Sequence, residues 1–314
     1  APNITVRSIP KDQMNPMHEG YTLGGAQEGT VENIVFQIGK DDAEVGKLYK
    51  EPHFDTEYGT GTFAHARVQV GYVPDDVSEE FLKTIAENLG NTQIIDEIQS
   101  QWLQQGRIKG FISDFEIVPG GNLLEYLKNN NIEYRISGKG KNTRDIEIQV
   151  KPGVWEDEPG FDPFNENMDY IFNKNEKSLR FIYDPETEAR YATPEEFLQK
   201  AYSIVPDFPV KESKKWVELV LNKMIEKAIL DGRDSIAITN GQIQANRYAG
   251  SGASQEQQEG LKKFYDNTVY PQLEKIAKKY GVELERIDIQ DPEQALMDQS
   301  DTQIQFPMKV KNAQ

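Results

Sequence analysis

The chain has no cysteine. This removes disulfides, thiolate metal sites, iron–sulfur ligation and a Cys nucleophile at once. It has only three His, so imidazole chemistry can draw on few residues. No stretch approaches the roughly 18 consecutive apolar residues that a spanning helix needs. Ala1 to Pro10 carries no apolar secretory core, and Ala1 is compatible with removal of an initiator Met or with proteolytic maturation. Basic residues are scarce beside acidic ones. The 35 Lys plus Arg against 52 Asp plus Glu leave a net charge of −17. That balance argues against broad coating of nucleic acid, which needs many Lys and Arg contacts to phosphate. It favours solubility or docking to a basic partner.

What is present describes a folded protein. The 314 residues suffice for one large core or two moderate ones. With 10% aromatic and 28% charged residues, the composition is not that of a disordered chain. Tyr21-Thr22-Leu23-Gly24-Gly25 reads as a turn, and the apolar run within 31–38 reads as a strand. From Phe63 to Val73 polar and apolar residues alternate. His65, Arg67 and Gln69 share one parity, and Ala64, Ala66, Val68 and Val70 share the other, the pattern of a half-buried strand. A helix over 77–89 follows, capped by Asp75, Asp76 or Ser78 and closed by Gly90. Gln93 to Ile98 reads as another strand.

The character changes at about 112–210. Segments 132–136 and 145–150 flank a hairpin tip, Ser137-Gly138-Lys139-Gly140-Lys141-Asn142. Residues 154–167 are rich in Pro, Gly and acids and read as a loop. Segments 178–183 and 189–192 flank a turn at Asp184-Pro185-Glu186-Thr187, and Thr193-Pro194-Glu195-Glu196 opens a short helix. The last third is the most periodic. Val217, Val220, Leu221, Met224, Ile225 and Ala228 follow helical spacing. Ser235 to Thr239 is a short strand. A helix runs from Leu261 to Tyr280 with Pro271 restarting or kinking it, and 282–289 is a further strand. The tail beyond Gln290 is polar and expected to be loosely held.

The expected fold is therefore α+β or α/β, a central mixed sheet with packed helices and a β-rich insertion at about 112–210. Residues 1–111 and 211–290 form the two halves of the core, and 291–314 form the tail.

Four sets of residues carry chemistry worth weighing. His53, Asp55 and His65 have the types of a two-His-one-carboxylate metal site; ordinary polar contacts at sheet edges are the favoured reading. Glu97 and Gln99 fall on one face of a strand, with Ser100, Gln104 and Arg107 close behind. Glu97 is a candidate general base and Arg107 an anion clamp; the alternative is a buried hydrogen-bonded network. After the strand ending at Thr239 come Gln242, Gln244, Arg247 and Tyr248. Strand ends in α/β layers are where ligands commonly bind, although a capped helix with exposed amides would look the same. Lys139, Lys141 and Arg144 make a basic hairpin tip that could touch phosphate; a solvated turn is the favoured reading, and nucleic acid is not an expected partner elsewhere. The sequence specifies no cofactor.

Several segments taken together resemble a known family. They are Tyr21–Gly25, His53-Phe54-Asp55, Ala64-His65-Ala66-Arg67, the run from Asp96 to Arg107, Trp216-Val217-Glu218-Leu219 with Lys223, the run from Thr239 to Tyr248, and Gly260 to Asp266. Their order and spacing resemble the large polyvalent protein-associated domains of bacteriophages and other mobile elements, over roughly residues 20–290. Gln101 and Leu103 stand where that family tends to have Asp and His. The resemblance implies a phage-encoded accessory domain, virion-associated, injected or acting in the host cytoplasm, that binds a phage or host protein through a polar cleft. It implies no membrane partner and carries no reaction. The enzymatic alternative is a transferase-like fold, loosely similar in element order to acetyltransferases, with Glu97 as base. Both rest on one spatial expectation: residues near 95–107 and 239–248 lie side by side with their polar ends meeting.

Overall fold

The alternation seen in the sequence builds a mixed sheet. In the computed structural model the described residues are 4–14, 26–27, 29–38, 59, 61–71, 90–137, 145–151, 154–158, 169–176, 178–183, 198–199, 203–208, 210–250, 252–282, 284, 286–288 and 305–307. The chain forms two compact units. One, the sheet unit, comprises residues 1–101 and 209–314; the other, the insertion unit, comprises residues 102–208.

The chain begins with strands β1 (Ile4–Pro10), β2 (Glu32–Ile38), β3 (Thr62–Val70) and β4 (Thr92–Gln99). Helix α1 (Gln101–Lys109) leads into the insertion unit. There follow β5 (Phe115–Pro119), α2 (Leu123–Asn129), β6 (Tyr134–Ser137), β7 (Asp145–Lys151), β8 (Val154–Glu158), β9 (Asp169–Asn173) and β10 (Ser178–Tyr183). The return leg carries α3 (Ser213–Leu230), β11 (Ser235–Ile238), α4 (Gly241–Gly250), α5 (Gln255–Phe264), α6 (Tyr270–Lys279), β12 (Arg286–Asp288) and β13 (Gln305–Pro307).

In the sheet unit the strand order is β1-β2-β3-β4-β11. The first four strands are antiparallel and β11 runs parallel to β4, with Ser235 opposite Thr92 and Ile238 opposite Ile95. Residues paired across strands share a face. One face of this sheet is apolar: Ile34, Phe36, Ala64, Ala66, Val68, Ile95, Ile98, Ile236 and Ile238. Helix α3 lies against the sheet and buries Val217, Val220, Leu221 and Met224. Gln93 Nε2 donates to Met224 O at 2.9 Å, tying strand to helix.

The opposite face carries Asn33, His65, Arg67, Gln69, Glu97 and Gln99 beside Val35, Ile94 and Ala237, and all of these but Gln99 are buried. All nine residues of β3 are inaccessible. The alternation of β3 therefore does not mark a half-buried strand. Its polar parity meets other polar groups of the protein instead of water, and period two is the same in either case.

Helices α5 and α6 are continuous through a π-helical turn at Tyr265–Val269. Pro271 lies in the first turn of α6, where a missing N–H costs little. The wide turn just before it absorbs the break that Pro271 was expected to cause.

The insertion unit holds two antiparallel three-stranded sheets, β10-β9-β5 and β6-β7-β8. Val118, Leu123, Leu127, Ile132, Tyr170 and Phe172 form one apolar cluster. Trp102 stands edge-on to Phe208, with ring centroids 5.6 Å apart, and donates to Pro206 O at 2.7 Å. Residues 154–158 form β8 rather than a loop. Main-chain pairing with β7 overrides the acidic composition there. Among the described residues of the expected last strand, 286–288 are extended and pair with 305–307 of the tail. The expected turns at 21–25 and 184–187, the helix over 77–89, strand 189–192, the start of the helix at 193 and the basic tip at 139–144 lie outside the described residues.

Candidate functional site

β4 and β11 run in the same direction, so their C-terminal ends finish together. That is the position where loops and helix starts of an α/β layer gather polar groups. Thr239 N donates to Ile95 O at 3.3 Å, extending the pairing by one residue. Helix α4 begins two residues later; Asn240 Oδ1 accepts from Ile243 N at 2.9 Å and Asp266 Oδ1 from Gly241 N at 3.3 Å. Gln244, Arg247 and Tyr248 are spaced i, i+3, i+4, which puts all three on one face of α4.

A β-bulge decides what that face meets. Arg67 pairs with Glu97 and Val68 with Ile95, leaving Asp96 as an extra residue in β4. The bulge breaks the alternation, so that Glu97 shares a face with Arg67. It also turns the Asp96 carbonyl toward α4. That oxygen accepts from Thr239 Oγ1 at 2.9 Å, from Arg247 Nη1 at 3.3 Å and from Gln244 Nε2.

Glu97 is the centre of the site and only 3% exposed. Arg67 Nη1 lies 3.4 Å from Glu97 Oε2, and Arg67 Nε donates to Asn33 Oδ1 at 3.3 Å. The Tyr248 hydroxyl donates to Glu97 Oε1. Burial alone would push the Glu97 carboxyl up. Arg67, then His65, the Tyr248 hydrogen bond and Arg247 outweigh it and hold the group below its ordinary range. Tyr248 is driven the other way, by burial and by the neighbouring Glu97 charge, so its phenol stays protonated.

Tyr265, in the π-turn, supports the floor from below. Its hydroxyl accepts from Ile98 N at 2.9 Å and donates to Ile98 O at 3.2 Å. Burial first, and then Glu97, raise its titration above the normal phenol range.

Of the stretch 95–107 expected to meet 239–248, only the β4 part near 95–99 is shown to do so, and 102–107 belong to the insertion unit. The wider cleft drawn from the sequence is not assembled as expected. Gln99 is half-buried beside Gln101, 3.1 Å from Nε2 to Oε1, on the face of Glu97. Ser100 is buried and donates to Phe63 O at 2.7 Å. Gln242 lies on the other side of α4, where it bonds Asn246 at 2.8 Å; residues spaced i and i+2, such as Gln242 and Gln244, do not share a helix face. Arg107 is exposed on α1 in the insertion unit, as is Gln104, because α1 carries the chain out of the sheet unit. His65 is buried next to the Glu97 network, while His53 and Asp55 lie outside the described residues. Among the described residues, no group of three or more His, Asp or Glu is placed to hold a metal, and no helix is long and apolar enough to cross a membrane.

Sequence reasoning did not select Arg67, Asn33 or Tyr265 as site residues. Three polar residues on one parity of an otherwise apolar strand were the available signal for Arg67.

Compared with family models, curated proteins and solved structures, the chain matches none.

Proposed function

We propose that this chain is a phage- or mobile-element-encoded accessory domain, virion-associated or acting in the host cytoplasm. It binds a phage or host protein through the polar cleft at the ends of β4 and β11. Gln99, Arg247 and Tyr248 form the half-buried rim of that cleft. Arg67 and Glu97 form its floor.

The observation that carries this reading is the state of Glu97. A general base must accept a proton near working pH. This carboxylate is instead held below its ordinary range by Arg67 and engaged by Tyr248. Such a group fixes geometry and field; it is a weak base. The acyltransferase-like alternative with Glu97 as base is correspondingly disfavoured. A second support is spatial. Four of the segments that carry the family resemblance supply Arg67, Glu97, Tyr248 and Tyr265, which meet at this one place.

The test is site-specific photo-crosslinking in infected cells, with the crosslinker at Gln99 and, as a control, at Gln242 on the far side of α4. A discrete product identified by mass spectrometry at Gln99 and absent at Gln242 supports the reading. Equal or no crosslinking at both overturns it. Acyl transfer lost in Glu97→Gln would favour the enzyme instead. Mass spectrometry of purified particles decides the virion version separately.

A further inference from the structure

The insertion unit contains a cavity that the site above does not use. It encloses about 480 Å³ and is lined by α1 residues, the turn after α1 and the end of β9. That lies within the range of small-molecule sites, about 300–1,000 Å³.

Its floor is apolar because two glycines let rings approach the backbone. A Cβ on Gly106 would stand 2.1 Å from the Phe111 ring, and one on Gly110 2.6 Å from the Phe115 ring. Phe111, Phe115 and Ile204 are each less than a tenth exposed and line the cavity. Arg107 and Lys109, both exposed at the last turn of α1, supply positive charge at the mouth.

Asn173 is the selective element. It is 6% exposed and lines the cavity. Its Oδ1 is occupied, accepting from Asn175 N at 3.0 Å and from Glu176 N at 3.1 Å. Among the described residues nothing accepts from its Nδ2. The same turn holds Glu176 next to it on the cavity wall. A donor and a carboxylate side by side complement a ring edge that carries an acceptor next to an amino group.

We propose that this cavity binds a nucleoside monophosphate whose base carries an amino group, adenine or cytosine. The planar base lies over Phe111, Phe115 and Ile204. Its ring acceptor accepts a hydrogen bond from Asn173 Nδ2, its amino group donates to the Glu176 carboxylate, and the phosphate is held by Lys109, with Arg107 adding charge from another side of α1. Asp114 also lines the cavity, and its Oδ2 accepts from Phe111 N at 2.8 Å.

Isothermal titration calorimetry of the full chain with AMP, CMP and UMP at low salt tests this. AMP or CMP is expected to saturate, and UMP to bind at least about threefold more weakly. Lys109→Glu should weaken binding roughly tenfold or more, the scale of one lost charge-assisted contact. Asn173→Asp keeps the oxygen that forms the turn but replaces the donor with an acceptor. It should erase the preference over UMP while the melting temperature stays near wild type. No saturation below about 5 mM for any nucleotide, where affinity is too weak to matter, overturns the proposal. So does binding indifferent to both variants, or binding of free phenylalanine in preference to all three nucleotides.

Discussion

Two polar regions of this molecule differ in what covers their hydrogen-bonding groups: protein closes over the first, and a cavity borders the second. At the end of β4, Glu97 is held by Arg67 and Tyr248, and the Asp96 carbonyl accepts from three donors. In the insertion unit, Asn173 uses its oxygen to close a turn and lines an open cavity. Buried polarity that is paired fixes architecture, because undoing it exposes an uncompensated group to a low dielectric. Polarity left with a vacant donor beside open space is suited to recognition. The same residue types therefore predict different consequences when altered.

The largest effect is expected where pairing is deepest. Arg67→Ala leaves the Glu97 charge buried with one fewer cation, and removing one partner of a buried pair costs about 3–5 kcal/mol. Urea unfolding should show a clear loss of stability, and Glu97→Gln a smaller one, since the amide removes the charge along with the pairing. If Arg67→Ala is neutral, the floor is not architecture. The pH dependence has a definite sign. The folded Glu97 carboxyl titrates below its reference of 4.5. Its contribution is present above that value and is lost as pH falls through the lower, folded one. Glu97→Gln should flatten this acid limb.

Next in size is Tyr265→Phe, which removes a hydroxyl that both accepts from and donates to Ile98 at the edge of the bulge. Leaving those buried backbone groups without partners costs about 1–3 kcal/mol. Thermal unfolding checks the loss. If the π-turn positions the cleft, crosslinking from Gln99 should fall in the same variant at a temperature where it remains folded.

In the insertion unit, Gly106→Ala drives a methyl into the Phe111 ring, and overpacking of this kind costs about 1–3 kcal/mol. Here the sharper readout is the cavity. The ring must shift, so nucleotide binding should weaken more than stability does. A loss of stability with binding unchanged would show that the floor does not form the site.

How far the sequence anticipates these regions follows from what each depends on. The parity of His65, Arg67 and Gln69, the stripe of α3 and the strand 235–238 are periodic signals and are legible. The single extra residue at Asp96 is not, because a bulge exists only relative to a partner strand. Without it, the joining of Glu97 to Arg67 could not be foreseen, although the approach of 95–99 to 239–248 could. Gln242 was misplaced for a simpler reason: proximity in sequence to Arg247 is not a shared helical face. Nothing in the alternation of β3 distinguishes a face covered by protein from one covered by water. The Asn173 turn has no signal at sequence distance, since its meaning comes from the cavity that β9 borders.

The smallest effects should come from charges that are paired but wet, and they set the lower end of the contrast. Lys227 bridges Asp231 at 2.8 Å and Glu32 at 3.2 Å with its side chain 24% exposed. Burial lowers its affinity for a proton, but the bonds to Asp231 and Glu32 outweigh burial and raise its titration above 10.5. That contribution is complete below the unfolded value and disappears only as pH rises through the higher folded one. Lys227→Met should therefore cost little and leave the neutral and acid ranges unchanged. Lys215 and Glu212 form a still shorter pair, 2.6 Å, yet both are about two-thirds exposed. Solvent screening and side-chain entropy reduce such a pair to about 0.5 kcal/mol or less, so Lys215→Ala should not shift the urea midpoint measurably. The separation is short for Lys215 and long for Arg67, while the expected costs run in the opposite order. Burial, and not distance, ranks these ion pairs, and a Lys215→Ala variant as destabilised as Arg67→Ala would reverse that ranking.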